Sequence, residues 1–166
     1  AEVGWRSMET VLVANHLVND YGIDTLEIGS MIGWAMELYE KGILTDKDTG
    51  GLKLEWGDTD AVIELIRQVA FREGLGDILA EGPLAAAERF GPDSMKYLIH
   101  VKGMSNLHTD ERAIPSFALN VAVSSRGSDH LRGRPAIDLY NLEMEVLDRV
   151  YRSPDGYDGP LTNSYS

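Results

Sequence analysis

The sequence contains no cysteine. Disulfides, thiolate nucleophiles and cysteine-held iron–sulfur clusters are therefore beyond these 166 residues. Long apolar runs are also missing, and no stretch approaches the roughly 18 uninterrupted apolar residues of a membrane-spanning helix. Histidine is sparse: His16, His100, His108 and His130 show no three- or four-residue spacing. No metal site built from this sequence alone is expected. Positive charge is scarce, with 15 Lys and Arg against 27 Asp and Glu and a formal net charge of −12. That balance repels nucleic-acid phosphates and anionic membranes, and it favours solubility without naming a partner. The amino end, Ala1-Glu2-Val3-Gly4-Trp5-Arg6, has neither the basic start nor the apolar run of a secretory signal. A cytoplasmic address is the expectation.

The hydrophobic fraction of 43% is that of an ordinary globular protein, and its periodicity predicts helices. Ser7 is placed to cap a helix with Val11, Ala14, Leu17, Val18 and Tyr21 on one broad face, ending near Gly22. Asp24 with Glu27 three residues on forms a capping-box pattern opening a second helix, which Gly42 should stop. The two should pack as a hairpin. After a turn-rich loop over 45–51, Asp58 caps a third helix that should end at Gly74. Short helices are expected over Asp77–Glu81 and Pro83–Phe90. The stretch Tyr97–Lys102 reads as extended, Phe117–Val123 fits helix or buried strand, and Leu142–Tyr151 reads as a last helix. The tail from Ser153 to Pro160 is loop-like. The fold class is mainly α, in two lobes over residues 1–92 and 93–166.

Three polar clusters stand out. In Asn19-Asp20-Tyr21-Gly22-Ile23-Asp24, Gly22 can stop one helix while Asp24 caps the next. His100-Val101-Lys102 reads as a surface pair, although on a strand both polar side chains would share a face. Ser125-Arg126-Gly127-Ser128-Asp129-His130 follows an apolar run, and Arg126 with Asp129 can tie a turn together. Glu37 and Glu40 lie three apart on the second helix, but Glu40 with Lys41 reads as solvated, so no catalytic carboxylate pair is expected.

Five segments in order resemble the second and third domains of the aldehyde:ferredoxin oxidoreductase family. They are Asn19–Thr25 with Gly33–Gly42, Leu54–Asp58, Arg72–Gly82, His100–Gly103 and Ser125–Gly133. The likeness covers residues 8 to 135. It implies a piece of the helical domains of an enzyme that oxidises aldehydes to carboxylic acids at tungsten or molybdenum held by two pterins. Electrons would leave through a [4Fe–4S] cluster to ferredoxin. No such group is expected on this chain alone, because the β-rich first domain and the cluster cysteines are not in it. The partners implied are the remaining domains of the same enzyme, ferredoxin and a small aldehyde, and a homodimer is left open.

The resemblance also assigns residues. Asn19, Gly22, Ile23 and Asp24 occupy the family's first pterin-binding motif, Asp-x-x-Gly-Leu-Asp, with the amide of Asn19 in place of a carboxylate. His100 matches the histidine of the family's His-x-Lys near the metal, where an imidazole can carry a proton. Lys102 would bind a pterin oxygen and Arg126 a pterin phosphate. The family's Glu-x-x-His motif for an iron between subunits is Val13-Ala14-Asn15-His16 here. Valine cannot ligate a metal, so that iron is expected to be absent. Two other readings remain. A benzoyl-coenzyme A reductase catalytic subunit resembles the same family. A non-catalytic helical module could instead dock a partner through Trp5, Trp34 or Trp56.

Overall fold

Residues 3–4, 7–106 and 110–130 of the computed structural model are described below, with positions 143, 145, 146 and 149. The chain divides into two compact units, Ala1–His108 with Arg126–Ser128, and Thr109–Ser125 with Asp129–Ser166. Residues 93–108 thus fall in the first unit. Mainly helical structure is what the described residues form: seven α-helices and one short β-hairpin.

The first unit is organised around α2 (Thr25–Glu40), which buries Ile28, Met31, Ile32, Trp34, Ala35, Met36 and Leu38. So many buried positions wrap well beyond one stripe, as suits a helix with neighbours on several sides. Asp24 starts it, its Oδ1 accepting from the Leu26 and Glu27 N–H groups at 2.9 and 2.8 Å. The helix stops at Lys41, and Gly42 takes φ +72°. α1 (Met8–Asp20) lies beside it but buries only Ala14 and Val18. Of the expected broad apolar face, Val11 and Tyr21 stay exposed, and outside it Met8 and Leu12 are 72% and 64% exposed and Val13 is exposed too. Ser7 is extended before α1, but its hydroxyl makes no capping bond.

α3 (Thr59–Phe71) starts as expected on Asp58, whose Oδ1 accepts from the Ala61 N–H at 3.0 Å. We predict that Asp58→Ala lowers stability by about 1 kcal/mol, measured as a shift of the urea midpoint with an unchanged slope. The helix ends earlier than Gly74, because Arg72 takes the left-handed cap position at φ +56°. Its guanidinium is held there by Asp77 at 3.3 Å and by Glu81. α4 consequently opens at Gly74 and runs to Leu79, three residues ahead of the expected Asp77 start. Across this corner the backbones nearly touch. A Cβ on Gly76 would sit 2.2 Å from the Gln68 carbonyl carbon and 2.4 Å from the Val69 nitrogen.

α5 (Pro83–Phe90) and α6 (Pro92–Met95) each begin with proline, whose missing N–H costs nothing at a helix start. Buried Ser94 closes the pair, donating to the Gly91 carbonyl at 2.7 Å, while its own carbonyl accepts from Trp34 Nε1 at 3.3 Å. Trp34 is thus buried and spent, not exposed as a docking residue. Trp56 is 43% exposed and donates to Glu40 at 2.7 Å.

The expected extended run from Tyr97 to Lys102 shrinks to β1 (His100–Val101), paired antiparallel with β2 (Met104–Ser105). In the second unit a 3-10 turn (Glu111–Ala113) leads into α7 (Pro115–Val123), burying Phe117 and Val121. The helix-or-strand ambiguity over 117–123 resolves to helix, with Pro115 in the first turn. Most of the helix expected over 142–151, and all of the tail over 153–160, lie outside the described residues.

Candidate functional site

The turn Asn19–Asp24 is built by two helix ends. The Gly22 N–H reaches the Asn19 carbonyl at 3.1 Å, and the Ile23 N–H reaches the Val18 carbonyl at 3.0 Å. This closure needs a left-handed residue, and Gly22 supplies it at φ +67°. The Ile23 side chain packs on the core, and Tyr21 meets Phe71 edge-on with ring centroids 5.5 Å apart. Asn19 donates from Nδ2 to the Asn15 carbonyl at 2.6 Å, leaving its side-chain oxygen as an outward acceptor. Asp24 spends Oδ1 on the cap and keeps Oδ2. No atom lies within 4 Å of where a Gly22 Cβ would stand. A planar ligand can approach that backbone closely.

The hairpin carries His100 opposite Ser105 and Val101 opposite Met104. Its turn is the pair Lys102-Gly103, with φ of +54° and +86°. Two positive φ values in a two-residue loop are the type I′ pattern, in which glycine or asparagine is usual and lysine is not. Strand alternation therefore does not carry Lys102 onto the face of His100, as full extension would have required. Instead the turn folds the Gly103 N–H back to His100 Nδ1 at 3.3 Å. With Nδ1 accepting, the neutral ring carries its proton on Nε2.

Two further elements grip this hairpin. From α2, the Glu27 carboxylate accepts from the Ser105 N–H at 3.1 Å and from the Ser105 hydroxyl at 2.8 Å. The capping box is thus only half formed: Asp24 caps the Glu27 N–H, but the Glu27 side chain turns to the hairpin. From the other side, Gly127 at φ +105° lies against the hairpin backbone. A Cβ there would stand 2.1 Å from the Val101 carbonyl oxygen. Ser128 fastens this strap by donating to Asn106 Oδ1 at 3.0 Å, and Asn106 N–H returns to the Ile99 carbonyl at 3.0 Å. Arg126, exposed, precedes Gly127 on the strap.

His100 and Lys102 thus lie on one hairpin, Arg126 precedes the strap laid against it at Val101, and Glu27, three residues after Asp24, bonds it at Ser105. Sequence patterns did not point to Glu27, Ser105 or Gly127 as parts of this arrangement. Only the helix-capping spacing singled out Glu27, and for a different bond. Asp129 is buried beside the strap in sequence, and its carbonyl accepts from Asn120 Nδ2 at 3.1 Å. His16 is exposed and pairs with Asp20 at 3.2 Å, one turn away from exposed Val13. Glu40 is solvated, its carboxyl held below the usual range first by the Trp56 hydrogen bond and then by Lys41. Among the described residues no group of three or more His, Cys, Asp and Glu could hold a metal ion.

A pterin's ring N–H groups need acceptors, and its phosphate needs cations. The open Asp24 and Asn19 oxygens, the bare Gly22 backbone and the Lys102 and Arg126 side chains are a donor set that fits those needs. An iron–sulfur cluster does not fit this chain, which offers no thiolate.

Comparison with known proteins gives the class: a chain matching two domains of one enzyme family. The family model "Aldehyde ferredoxin oxidoreductase, domains 2 & 3" matches residues 1–157. Tungsten-containing aldehyde ferredoxin oxidoreductases from Pyrococcus horikoshii and Pyrococcus abyssi are 33% and 34% identical over 155 residues, 92% of this chain and 24% of each relative. The WOR-like subunit of an aliphatic sulfonate oxidoreductase from Pyrococcus furiosus is 38% identical over 151 residues, 87% of this chain and 24% of that protein. Among solved structures, the active-site complex BamBC of benzoyl-coenzyme A reductase, with 1,5-dienoyl-CoA bound, aligns with a TM-score of 0.61 at 25% identity. That alignment covers 75% of this chain and 19% of the other. The chain belongs to the aldehyde ferredoxin oxidoreductase family. It spans about a quarter of the length of the curated relatives it matches.

Proposed function

We propose that this chain forms one wall of a tungsten- or molybdenum-pterin site in a larger enzyme that oxidises small aldehydes to carboxylic acids. The observation that carries this reading is the His100–Lys102 hairpin with the strap after Arg126 laid against its Val101 carbonyl, in a chain of this family. A bound metal–pterin group would supply the two-electron oxidation of aldehyde and water to carboxylic acid and protons, and the electrons would leave for ferredoxin through a [4Fe–4S] cluster held outside this chain. This chain's part is binding and proton handling. Asp24 Oδ2 and the Gly22 backbone would hold the pterin ring, and Lys102 and Arg126 would neutralise its oxygens and phosphate. His100 carries a proton at Nε2, with Nδ1 occupied by the turn.

Alone the chain is inactive, for it holds no cluster. Its partners are the remaining domains of the same protein, a ferredoxin and the aldehyde, in the cytoplasm, and a homodimer is left open. The bare apolar surface of α1, Met8, Val11, Leu12 and Val13, supports a covering neighbour in the complete protein. No iron bridges subunits at His16, since Val13 cannot ligate it.

The test is metal content followed by kinetics, on the complete protein purified without oxygen. One tungsten or molybdenum and about four irons per chain are expected, the iron being that of one cubane cluster. His100→Asn should retain the metals and lose aldehyde oxidation on the order of 100-fold in kcat. A folded protein without tungsten or molybdenum would overturn the reading in favour of a helical interaction module. The likeness to the benzoyl-coenzyme A reductase complex favours a second reading, an aryl-coenzyme A reductase subunit. Reduction of the ring of an aryl-coenzyme A, with its thioester kept, in place of aldehyde oxidation would establish it.

A further inference from the structure

Glu27 is a half-buried carboxylate that neither the pterin motif nor the His-x-Lys pair includes. It sits three residues after Asp24, and Asp24 caps its N–H at 2.8 Å. Its carboxylate leaves α2 and takes both hydrogens that Ser105 can offer, one from the backbone and one from the hydroxyl. Ser105 is the residue directly opposite His100 in the hairpin. A charged acceptor taking two hydrogen bonds fixes both position and orientation, and it is stronger than a neutral one. The hairpin cannot hold itself in place: each strand is two residues long, and an isolated ribbon of that size has no stability of its own. Its tip is strained besides, because Lys102 occupies a left-handed conformation that costs a non-glycine residue energy. Position at this tip must come from outside the ribbon, and α2 supplies it through Glu27.

We propose that Glu27 is the positioning residue of the site. It sets the His100–Lys102 hairpin in register with the Asn19–Asp24 turn, so that the proton-carrying group and the ring-binding group move as one body. The proposal rests on the reading of His100 as the proton carrier. Without the Glu27 bonds the hairpin still has its strap at Gly127, so it loosens rather than unfolds. The two halves of the site then shift against each other.

The test uses the complete protein and two readouts. In amide hydrogen exchange, Glu27→Ala should accelerate residues 99–106 about tenfold while α3 and α4 stay at the native rate. Glu27→Gln, whose amide oxygen still accepts from Ser105, should restore most of that protection. In aldehyde oxidation, Glu27→Ala should lower kcat about tenfold. Added to His100→Asn it should cost almost nothing more, because it acts through His100. Unchanged exchange over 99–106, or acceleration spread evenly over the first unit, would overturn the proposal. So would full additivity with His100→Asn. Should the protein carry no tungsten or molybdenum, the reading of the site falls. The exchange arm still decides whether Glu27 holds the hairpin.

Discussion

Gly76→Ala should unfold the corner between α3 and α4, with a loss of about 4 kcal/mol in stability. The added methyl would lie 2.2 to 2.5 Å from the Gln68 carbonyl carbon, the Val69 nitrogen and the Gln68 Cβ. Two of these are backbone atoms inside a helix, and no rotamer change moves them aside. The helices must separate, which uncovers Leu75 and Leu79 on one side and Leu65 and Ile66 on the other. Burying one such side chain is worth about 2 kcal/mol, so even partial separation accounts for the loss. The ion pairs at the corner do not offset it. Arg67 bonds Glu64 at 2.9 Å and Glu73 at 2.6 Å, but these side chains are roughly two-fifths to one-half exposed, and such pairs contribute ~0–1 kcal/mol. Urea unfolding measures the effect, with Gly22→Ala as the control. Gly22 has a positive φ but open space around it, so its alanine variant should lose only about 1 kcal/mol. Equal losses at the two sites would mean that the corner yields and that the collision at Gly76 does not govern the loss.

Gly127→Ala should release the strap from the hairpin. Its methyl would lie 2.1 Å from the Val101 carbonyl oxygen, at a φ of +105° that alanine rarely adopts. Collision and conformational strain add, and the local cost is about 3 to 5 kcal/mol. The loss should be confined, because the hydrophobic core of the first unit lies on α2 and α3. Thermal unfolding should keep its main transition, while tryptic or thermolysin cleavage appears within residues 99–106 and 124–130. Arg126→Ala, next door on an exposed side chain, should show no new thermolysin cleavage in either segment. A single global collapse in Gly127→Ala would show that the hairpin is part of the core and not an attached layer.

Much of the helical frame was legible from periodicity and capping residues. Asp24 and Asp58 start helices where their side chains can accept from the first turn, and Gly42 sits beyond the end of α2. Charge at a distance was harder to see. Arg72 ends α3 in a left-handed conformation because Asp77 and Glu81, later in the chain, hold its guanidinium. No local propensity encodes that. The extended reading of 97–102 failed for a similar reason: β-branched and aromatic residues favour strand, yet Lys102-Gly103 turns the chain within two residues to meet β2. Among site residues, Gly22 and Asp24 could be read from the turn they make. His100, Lys102 and Arg126 drew attention only through family likeness. Glu27 and Gly127 act across 78 and 26 positions of sequence respectively, at Ser105 and Val101. Spacing rules, which are local, do not reach that far.

Residues 126–128 serve a unit whose other members end at residue 108, and the intervening segment belongs to the second unit. During synthesis the amino-terminal helices can therefore settle first, but the hairpin's outer side stays uncovered until residue 128 has left the ribosome. Ser105 and His100 emerge well before their final surroundings exist. A chain cut after residue 108 would keep nearly all of the first unit's core and still present His100 on an open-sided ribbon. The order of translation thus makes the hairpin corner of this unit the last to close.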